Sequence, residues 1–375
     1  MGIFVPGPSH YNKPFRSLSD QISLLEQRGL AIEDRGYALS CLERIGYYRL
    51  SGYWYPFRKS HLSVNPVTGV ALPHPRTGRP VTVIEDDFRS GSDFQQVMEL
   101  YVFDKRLRLI FLDAIERIEV ALRVEIALLL GARSPLAHRD PAQLSPAFLP
   151  RHASWLAKID RSFDRSTDDF VRHFKAKYQN QQLPIWISIE LWDFGTLSHL
   201  FSGLKTSDQT ILSAKYNISR PALLVSFLRN INHIRNICAH HSRLWNRSPA
   251  DRIALPMRGE LPSLDHLIGD RNAHSRIYAT ACVMQHLLSF INPATQWPAR
   301  LAQHLRTLPT RNGMNLKQAG FPDSWHGEPL WRCPSADKAR HEGISSLAYC
   351  LWQARAQGSG DAEGDWYVAE RQLPF

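Results

Sequence analysis

The sequence predicts a mainly α-helical protein with little β-sheet, and three stretches support this fold class. Residues 93–131 contain no proline, can be capped by Ser92 or Asp93 and end at a glycine, which is typical of one long helix. Residues 221–247 carry apolar side chains at the three- and four-residue spacing of a second helix. The strand-like run VTVIEDDF (81–88) lies inside a stretch rich in proline and glycine, which limits the expected sheet to a small hairpin.

The N-terminal part of the chain predicts two short helices, an aromatic segment and a loop or hairpin. Serine can cap the start of a helix, and glycine commonly follows its end. The expected order is an arm (1–16), a helix from Ser17 or Ser19 to Gly29, a helix ending at Gly46, an aromatic segment (47–58) that is extended or briefly helical, and a loop or small hairpin (59–92).

The remainder of the chain predicts further helices separated by short breaks rich in proline or glycine. The expected helical pieces are 152–179, 185–204, 207–216, 221–247, 264–291 and 334–356. We therefore expect three parts: an N-terminal helical and aromatic region at 1–92, a helical domain at 93–331 and a C-terminal tail at 332–375.

The composition is that of a globular protein with a surplus of basic residues. Hydrophobic residues make up 43% and charged residues 21% of the 375 residues, so disorder is not the default. Lys and Arg number 45 against 35 Asp and Glu, a net charge of +10, which favours polyanion partners, nucleic acid first. The five cysteines show no CxxC spacing, and the sequence has no signal peptide or membrane-length apolar run. We expect a cytoplasmic protein without a membrane partner.

On a helical projection, residues 221–247 separate into an apolar face and a basic face. The apolar face is expected to pack in the core and comprises Leu223, Leu224, Phe227, Ile231, Ile234, Cys238 and Trp245. The opposite face, here called the basic stripe, comprises Arg229, Asn232, Asn236, His240, Arg243 and Arg247, with Arg235 at its border. An ordinary solvated face mixes Glu with Lys, but the basic stripe contains no carboxylate. Its charge must be balanced by the rest of the protein or by an anionic ligand.

The first interpretation of the basic stripe is structural. Glu116, Glu119 and Glu125 lie on the long helix and have the charge needed to pair with the arginines of the stripe. In that case the two helices form a buried seam of ion pairs, and the stripe has no direct chemical role. Spacing alone leaves this interpretation open.

The second interpretation is that the basic stripe handles phosphate groups. Asn236 and His240 are four residues apart and therefore neighbours on a helix, and Arg235 flanks them. An imidazole transfers protons near neutral pH, and a guanidinium stabilises the charge that develops on phosphorus. These groups suit RNA cleavage in which the 2′-hydroxyl attacks the adjacent phosphate. Because the stripe offers no carboxylate to hold Mg²⁺, we expect neither a metal nor another cofactor.

Several blocks of this sequence occur together and in order. They are PFRSLSDQISLLEQRGL (14–30), LERIGYYRLSGYWYPFR (42–58), LYVFDKRLRLIFLDAIERIEVALR (100–123), LPIWISIELWDFGTLSHLF (183–201), LRNINHIRNICAHHSRLWNR (228–247) and GFPDSWHGEPLW (320–331). The chain resembles, over about residues 14–331, the Abi-like family of abortive-infection proteins of the AbiD and AbiF type, whose helical core is a HEPN domain.

The resemblance implies a HEPN-type helical bundle and a metal-independent endoribonuclease that acts as a toxin in bacterial antiphage defence. Its Arg-to-His motif falls on Arg235, Asn236 and His240, and two such motifs meet across a homodimer interface. Some members are restrained by a small structured RNA, so RNA is expected as substrate and as regulatory or antitoxin partner. His241 also has the motif's spacing, but the projection puts it beside the apolar face, and we prefer His240 as the catalytic histidine. The residues expected to bind RNA are Arg229, Asn232, His241, Arg243 and Arg247.

Other functions are compatible with parts of the sequence. The main alternative is an RNA-binding HEPN scaffold that no longer cuts. A DNA-binding regulator is disfavoured because no compact helix-turn-helix is visible. A zinc site at Cys238, His240 and His241 is disfavoured because three ligands so close together on a helix point in different directions.

Two further groups of residues have both a structural and an RNA-binding interpretation. The aromatic segment 47–58 either packs in the core or stacks on RNA bases through a partly exposed Tyr53 or Trp54. Lys105, Arg106 and Arg108 on the long helix form either a solvated face or a contact with the RNA backbone.

Overall fold

The structure is a computed structural model that describes residues 14–73, 78, 80–178, 181–331 and 345. Its described part is mainly helical with one two-stranded sheet, which confirms the predicted fold class. It falls into two compact units, one formed by residues up to 103 together with 309–314, the other by residues 104–308 together with those from 315 onward. The predicted division of the chain at residues 92 and 332 stays a prediction. No helix in the described part is long and apolar enough to cross a membrane.

The first unit contains the short helices and the hairpin that the sequence predicts. Its elements are α1 (Leu18–Gln27), α2 (Arg35–Ile45), α3 (Tyr47–Trp54), β1 (Arg58–Leu62) and β2 (Thr82–Phe88), and the two strands pair antiparallel. Ser17 caps α1 as expected, because its hydroxyl accepts the Asp20 N–H while the Asp20 carboxylate accepts the Ser17 N–H. Gly46 ends α2 with a φ of 90°, a backbone conformation that glycine adopts without strain.

The aromatic segment packs into the core of the first unit through three of its rings. Tyr53, Trp54 and Phe57 are buried, with 2%, 0% and 0% of their surfaces exposed. The expectation of a partly exposed Tyr53 or Trp54 is therefore wrong. The hydrophobic gain from burying large aromatic rings decides their position. The exposed aromatic residues of this segment are Tyr48 and Tyr55, with 91% and 48% of their surfaces exposed, and a sequence pattern of mixed aromatics does not single them out.

The long helix is present as predicted. It is α4 (Phe94–Gly131), a single helix of 38 residues. Of the two proposed capping residues, Asp93 is the one used, because its Oδ1 accepts the Gln96 N–H at 2.7 Å.

The second unit is built of helices joined by short turns. Its further helices are α5 (Leu149–Arg165), α6 (Asp169–Lys177), α7 (Ile185–Ser188), α8 (Phe194–Gly203), α9 (Thr206–Ala214), α10 (Pro221–Ala239), α11 (Arg271–His274), α12 (Ile277–Ile291) and α13 (Trp297–Leu305). The centre of its core is α12, which is buried on all sides over residues 277–288. Helix α10 packs against α8, α9 and α12, and this packing fixes which of its faces remains accessible.

Four helix predictions differ from the structure. The piece predicted over 152–179 is broken at 166–168 into α5 and α6, and the piece predicted over 185–204 is broken at Trp192 and Asp193, between a 3₁₀ turn after α7 and the start of α8. The helix predicted over 264–291 is split into a 3₁₀ segment (Pro262–Leu267), α11 and α12, because the Asp270 carboxylate caps a new helix by accepting two backbone N–H groups. The helix predicted over 221–247 ends at Ala239. The helix predicted at 334–356 lies outside the described residues, apart from residue 345, which is helical.

Candidate functional site

The face of α10 that the sequence assigns to the core is the buried one. Leu224, Phe227, Ile231, Ile234 and Cys238 have at most 1% of their surfaces exposed. Burial raises the pKa of the Cys238 thiol to about 12, so this sulfur behaves as a small apolar group. The opposite side of α10 is therefore the side that is available for binding.

Three residues of that opposite side line a cleft of about 390 Å³ in the second unit. Asn232, Arg235 and Asn236 form one wall of the cleft. The other wall combines α5 with the start of α8 and presents Arg151, Ser154, Lys158, Asp193, Gly195 and His199. Phe148 and Trp155, both nearly buried, form the apolar floor. The cleft thus brings together predicted site residues and residues that the sequence analysis did not select.

Asp193 is the acidic residue of the cleft, and its charge is already balanced. Its Oδ1 accepts the backbone N–H and the hydroxyl of Thr196 at 2.6 and 2.7 Å, which caps α8. The Lys158 ammonium donates to both carboxylate oxygens at 3.0 and 2.8 Å. Burial by itself raises the pKa of Asp193, but the hydrogen bonds from Lys158 and Thr196 outweigh it and hold the pKa at about 2. The basic character of the cleft comes from its arginines.

Arg235 lies in the electrostatic field of a half-buried carboxylate on α4. Burial raises the pKa of Glu119, and the charges of Arg123 and Arg235 oppose that rise. The direct partner of Glu119 is Arg123, at 2.5 Å between Nη2 and Oε1. Among the described residues no carboxylate lies within ion-pair distance of Arg235. Glu119 therefore attracts the Arg235 guanidinium without forming a direct ion pair with it.

The other acidic candidates of the predicted seam have different partners. Glu125 accepts a hydrogen bond from the Tyr216 hydroxyl at 2.9 Å and lies 3.6 Å from Lys215. Arg229 pairs with Asp251 at 2.6 Å on the exposed surface, away from α4. The two-helix seam is thus wrong for Glu125 and Arg229.

The two adjacent histidines lie at the C-terminal end of α10. His240 follows Asn236 by one helical turn, and its backbone N–H donates to the Asn236 carbonyl at 3.0 Å. His241 has a φ of 55°, in the left-handed region. The N–H groups of His241 and Ser242 donate to the carbonyls of Cys238 and Ile237 at 3.0 and 2.9 Å, which is the hydrogen-bond pattern of a Schellman motif.

This turn explains why the predicted helix is too long. Glycine usually occupies the left-handed position of a Schellman motif, but histidine adopts that conformation more readily than most residues. The projection that places His241 beside the apolar face assumes a continuous helix and does not apply beyond Ala239. Both His240 and His241 are exposed, and the preference for His240 stays a prediction.

A buried carboxylate on α4 fixes the segment that follows the two histidines. Asp104 is fully buried, and its oxygens accept the Leu244 N–H at 3.1 Å and the Trp245 N–H at 2.7 Å. Arg108 donates to the same carboxylate at 2.5 Å and to the Ser242 carbonyl at 3.3 Å. Here called the Asp104 clamp, this group holds residues 242–245 against α4.

The clamp also corrects the interpretation of the basic residues on α4. Arg108 is 4% exposed and bound to Asp104, so neither a solvated face nor an RNA contact describes it. Lys105 and Arg106 are exposed, and both of their interpretations stay open. The sequence groups these three residues by charge, whereas the one-hundred-degree step of a helix separates their environments.

The structure separates the predicted site residues into three groups. Asn232, Arg235 and Asn236 meet in the cleft. Arg229 lies on the exposed surface, bound to Asp251. His240, His241, Arg243 and Arg247 lie at or beyond the end of α10 and are not among the residues that line the cleft.

A thiol, an imidazole and a carboxylate also lie in a row elsewhere in the second unit. The Cys282 sulfur is 3.5 Å from Nε2 of His266, whose Nδ1 is 4.0 Å from the Glu328 carboxylate. Cys282 is fully buried, and burial raises the pKa of its thiol well above the ordinary range. A nucleophilic cysteine needs an accessible thiolate, so this trio is a structural cluster.

The fold and the cleft define a mainly helical protein in which one amphipathic helix presents arginine and asparagine side chains to a cationic cleft. The model of the Abi-like protein family matches residues 40–246, which is more than half of the chain. The chain belongs to the Abi-like protein family, as the resemblance in its sequence blocks predicts. Comparisons with curated proteins and with solved structures give no match.

Proposed function

We propose that this protein is a metal-independent endoribonuclease of bacterial abortive-infection defence, and that its second unit contains a HEPN domain. The observation that carries the proposal is the arrangement on α10: Arg235 and Asn236 line an open cationic cleft, and His240 follows one helical turn later. Membership of the Abi-like family supports the role in defence. The protein acts as a toxin towards the infected cell by cutting RNA.

The reaction is an attack of the RNA 2′-hydroxyl on the adjacent phosphorus. The 2′-oxygen forms a bond to phosphorus as it loses its proton, and the 5′-oxygen leaves as it gains one, which yields a 2′,3′-cyclic phosphate and a 5′-hydroxyl. His240 serves as general base or acid for these transfers. Arg235 stabilises the charge on the phosphorane, and Asn236 orients His240 or the phosphate.

The reaction needs two proton-transfer groups, and a homodimer would supply a second His240. In this proposal the motifs of two chains face one RNA strand, and Arg229, Asn232, His241, Arg243 and Arg247 hold the flanking backbone. The proposal gives Asp193 no metal-binding role because Lys158 and Thr196 occupy its oxygens. A small regulatory RNA bound along the same surface would restrain the toxin by competition.

The test is to purify the protein and its His240→Ala variant with EDTA present throughout, sequence the copurified RNA and determine the chemistry of the 3′ ends. We expect host RNA fragments with cyclic phosphate ends from the native protein alone. The matched control is His241→Gly, which removes the neighbouring imidazole but suits the left-handed backbone at that position. This control should still yield cyclic phosphate ends, although it binds RNA more weakly because one backbone contact is lost.

One observation favours the alternative of an RNA-binding scaffold. In a single chain, His240 is not among the residues that line the cleft with Arg235. If both samples contain the same intact small RNA and no cyclic phosphate ends, the protein is a scaffold and the nuclease proposal is wrong. If His240→Ala cuts normally and His241→Gly does not, the catalytic histidine is His241.

A further inference from the structure

The wall of the cleft that faces α10 has no role in the chemistry described above. It is formed by Arg151, Ser154 and Lys158 of α5 and by His199 of α8. These side chains come from elements distant in sequence from α10, yet they face the same space of about 390 Å³ as Arg235. Pockets of roughly 300–1,000 Å³ are the usual size for a bound organic molecule, so the space suits about one nucleotide.

The charges of the cleft call for an anionic occupant. Lys158 and Asp193 neutralise each other through their direct contact. Arg151 is exposed, and within the described ranges no carboxylate lies within ion-pair distance of it or of Arg235. Two guanidinium groups therefore face one cleft from opposite walls, and guanidinium groups bind phosphate oxygens in a bidentate manner.

The remaining lining groups suit the neutral parts of a nucleotide. Asn232 and Asn236 offer amide donors and acceptors, and Phe148 and Trp155 provide an apolar floor. Gly195 lines the cleft beside Asn232, and a Cβ atom at this position would lie 3.4 Å from the Asn232 side chain, at the edge of ordinary van der Waals contact. A polar, hydrogen-bonding rim over an apolar floor is typical of sites that hold a base or a ribose.

We propose that this cleft is a ribonucleotide-binding subsite that holds one nucleotide of single-stranded RNA next to the cleaved bond, with Arg151 and Arg235 bound to its phosphate groups. The proposal rests on the proposed function, since it takes RNA as the ligand. Arg151 is thereby a positioning residue that sets where the strand enters the site. His199 and Ser154 contribute hydrogen bonds to the same segment of backbone.

The test measures the affinity of a short fluorescent single-stranded RNA for the His240→Ala protein, which keeps the probe intact, over a series of salt concentrations. Adding Arg151→Ala should lower the affinity about tenfold and reduce the salt slope by about 0.7, the value for one phosphate contact on a single strand. Arg151→Lys should restore part of the slope because it keeps the charge. The matched control is Arg161→Ala, an exposed arginine on the same helix α5 that does not line the cleft, and it should bind like the parent.

The outcomes separate this inference from the proposed function. If the native protein cuts RNA but Arg151→Ala and Arg161→Ala bind alike, the subsite is wrong and the nuclease stands. If Arg151→Ala alone weakens binding while the native protein cuts no RNA, the subsite is correct and the nuclease is wrong. If the protein does not bind the RNA probe at all, both are wrong. Matching thermal unfolding curves of the variants show that each one is folded.

Discussion

The Asp104 clamp predicts a large effect of one buried substitution on stability and on the histidine turn. In Asp104→Ala, Arg108 loses its carboxylate partner inside the protein, where only 4% of the arginine is exposed. Removing one member of a buried pair costs about 3–5 kcal/mol, and each amide left without an acceptor costs roughly 1–3 kcal/mol more. Since the N–H groups of Leu244 and Trp245 both lose their acceptor, we expect the free energy of unfolding to fall by at least about 5 kcal/mol.

Urea unfolding followed by tryptophan fluorescence measures this change, because Trp245 is buried directly beside the clamp. The matched control is Asp113→Ala on the same helix, whose carboxylate pairs with Arg117 and Arg300 at the surface with 33% of its side chain exposed. Loss of one surface pair costs at most about 1 kcal/mol, so the loss of both pairs of Asp113 costs at most about 2 kcal/mol. Equal small losses in Asp104→Ala and Asp113→Ala would refute the reasoning.

A double variant tests whether the cost comes from the unpaired charge. Replacing both partners of a buried pair by apolar residues of similar size is often neutral, so Asp104→Leu with Arg108→Met should recover a large part of the lost stability. The turn after α10 would still lack its two backbone hydrogen bonds to the carboxylate. We therefore expect RNA cleavage to remain impaired in the double variant although the fold is restored.

Two further substitutions have effects that follow from burial. His138 is fully buried, and burial, together with the charge of Arg139, lowers the pKa of His138 to about 3. Because the pKa of this histidine is about 6.5 in the unfolded chain, protonation favours the unfolded state. The free energy of unfolding should therefore fall as the pH drops from about 6.5 towards 3. Between pH 7 and pH 4.5 this group should lower the free energy of unfolding of the native protein by about 2–3 kcal/mol. In urea unfolding, His138→Phe should lose about 2–3 kcal/mol less than the native protein over the same pH range. The same pH dependence in both proteins would contradict a buried, neutral His138. At Gly203 an added Cβ would lie 2.4 Å from the ring of Phe148, so Gly203→Ala should lower the free energy of unfolding by about 1–3 kcal/mol. The control is Gly327→Ala, whose Cβ would meet no atom within 4 Å and which should cost little. Equal melting temperatures for the two variants would argue against a packed Phe148.

Local patterns were sufficient for the elements whose ends depend on neighbouring residues. The start of α4 at Asp93 and the end of α2 at Gly46 follow from capping chemistry that acts within a few residues. The apolar face of α10 follows from helical spacing alone. The end of α10 could not be predicted in this way, because His241 occupies the left-handed position where a glycine usually marks the end of a helix.

The cleft contains residues that the spacing of side chains in the sequence cannot identify. Arg235 and Asn236 stand in a pattern that the sequence displays, because the pattern belongs to one helix. Arg151 and His199 come from α5 and α8, and nothing in their immediate surroundings distinguishes them from other exposed basic residues. The sequence does not distinguish Asp104 either, because it is one of several acidic residues on the long helix.

The sequence by itself determined the mainly helical fold, the family and the helix with its basic stripe, because periodicity, capping and shared motifs are local properties of a chain. Only the tertiary structure decided which charged side chains are buried and which face the cleft. Burial and charge pairing depend on elements brought together from distant parts of the chain. The contribution of a charged side chain to stability differs by roughly several kcal/mol between a buried ion pair and an exposed one. Arg108 and Arg235 look alike in the sequence, yet the fold binds one to Asp104 and leaves the other facing the cleft.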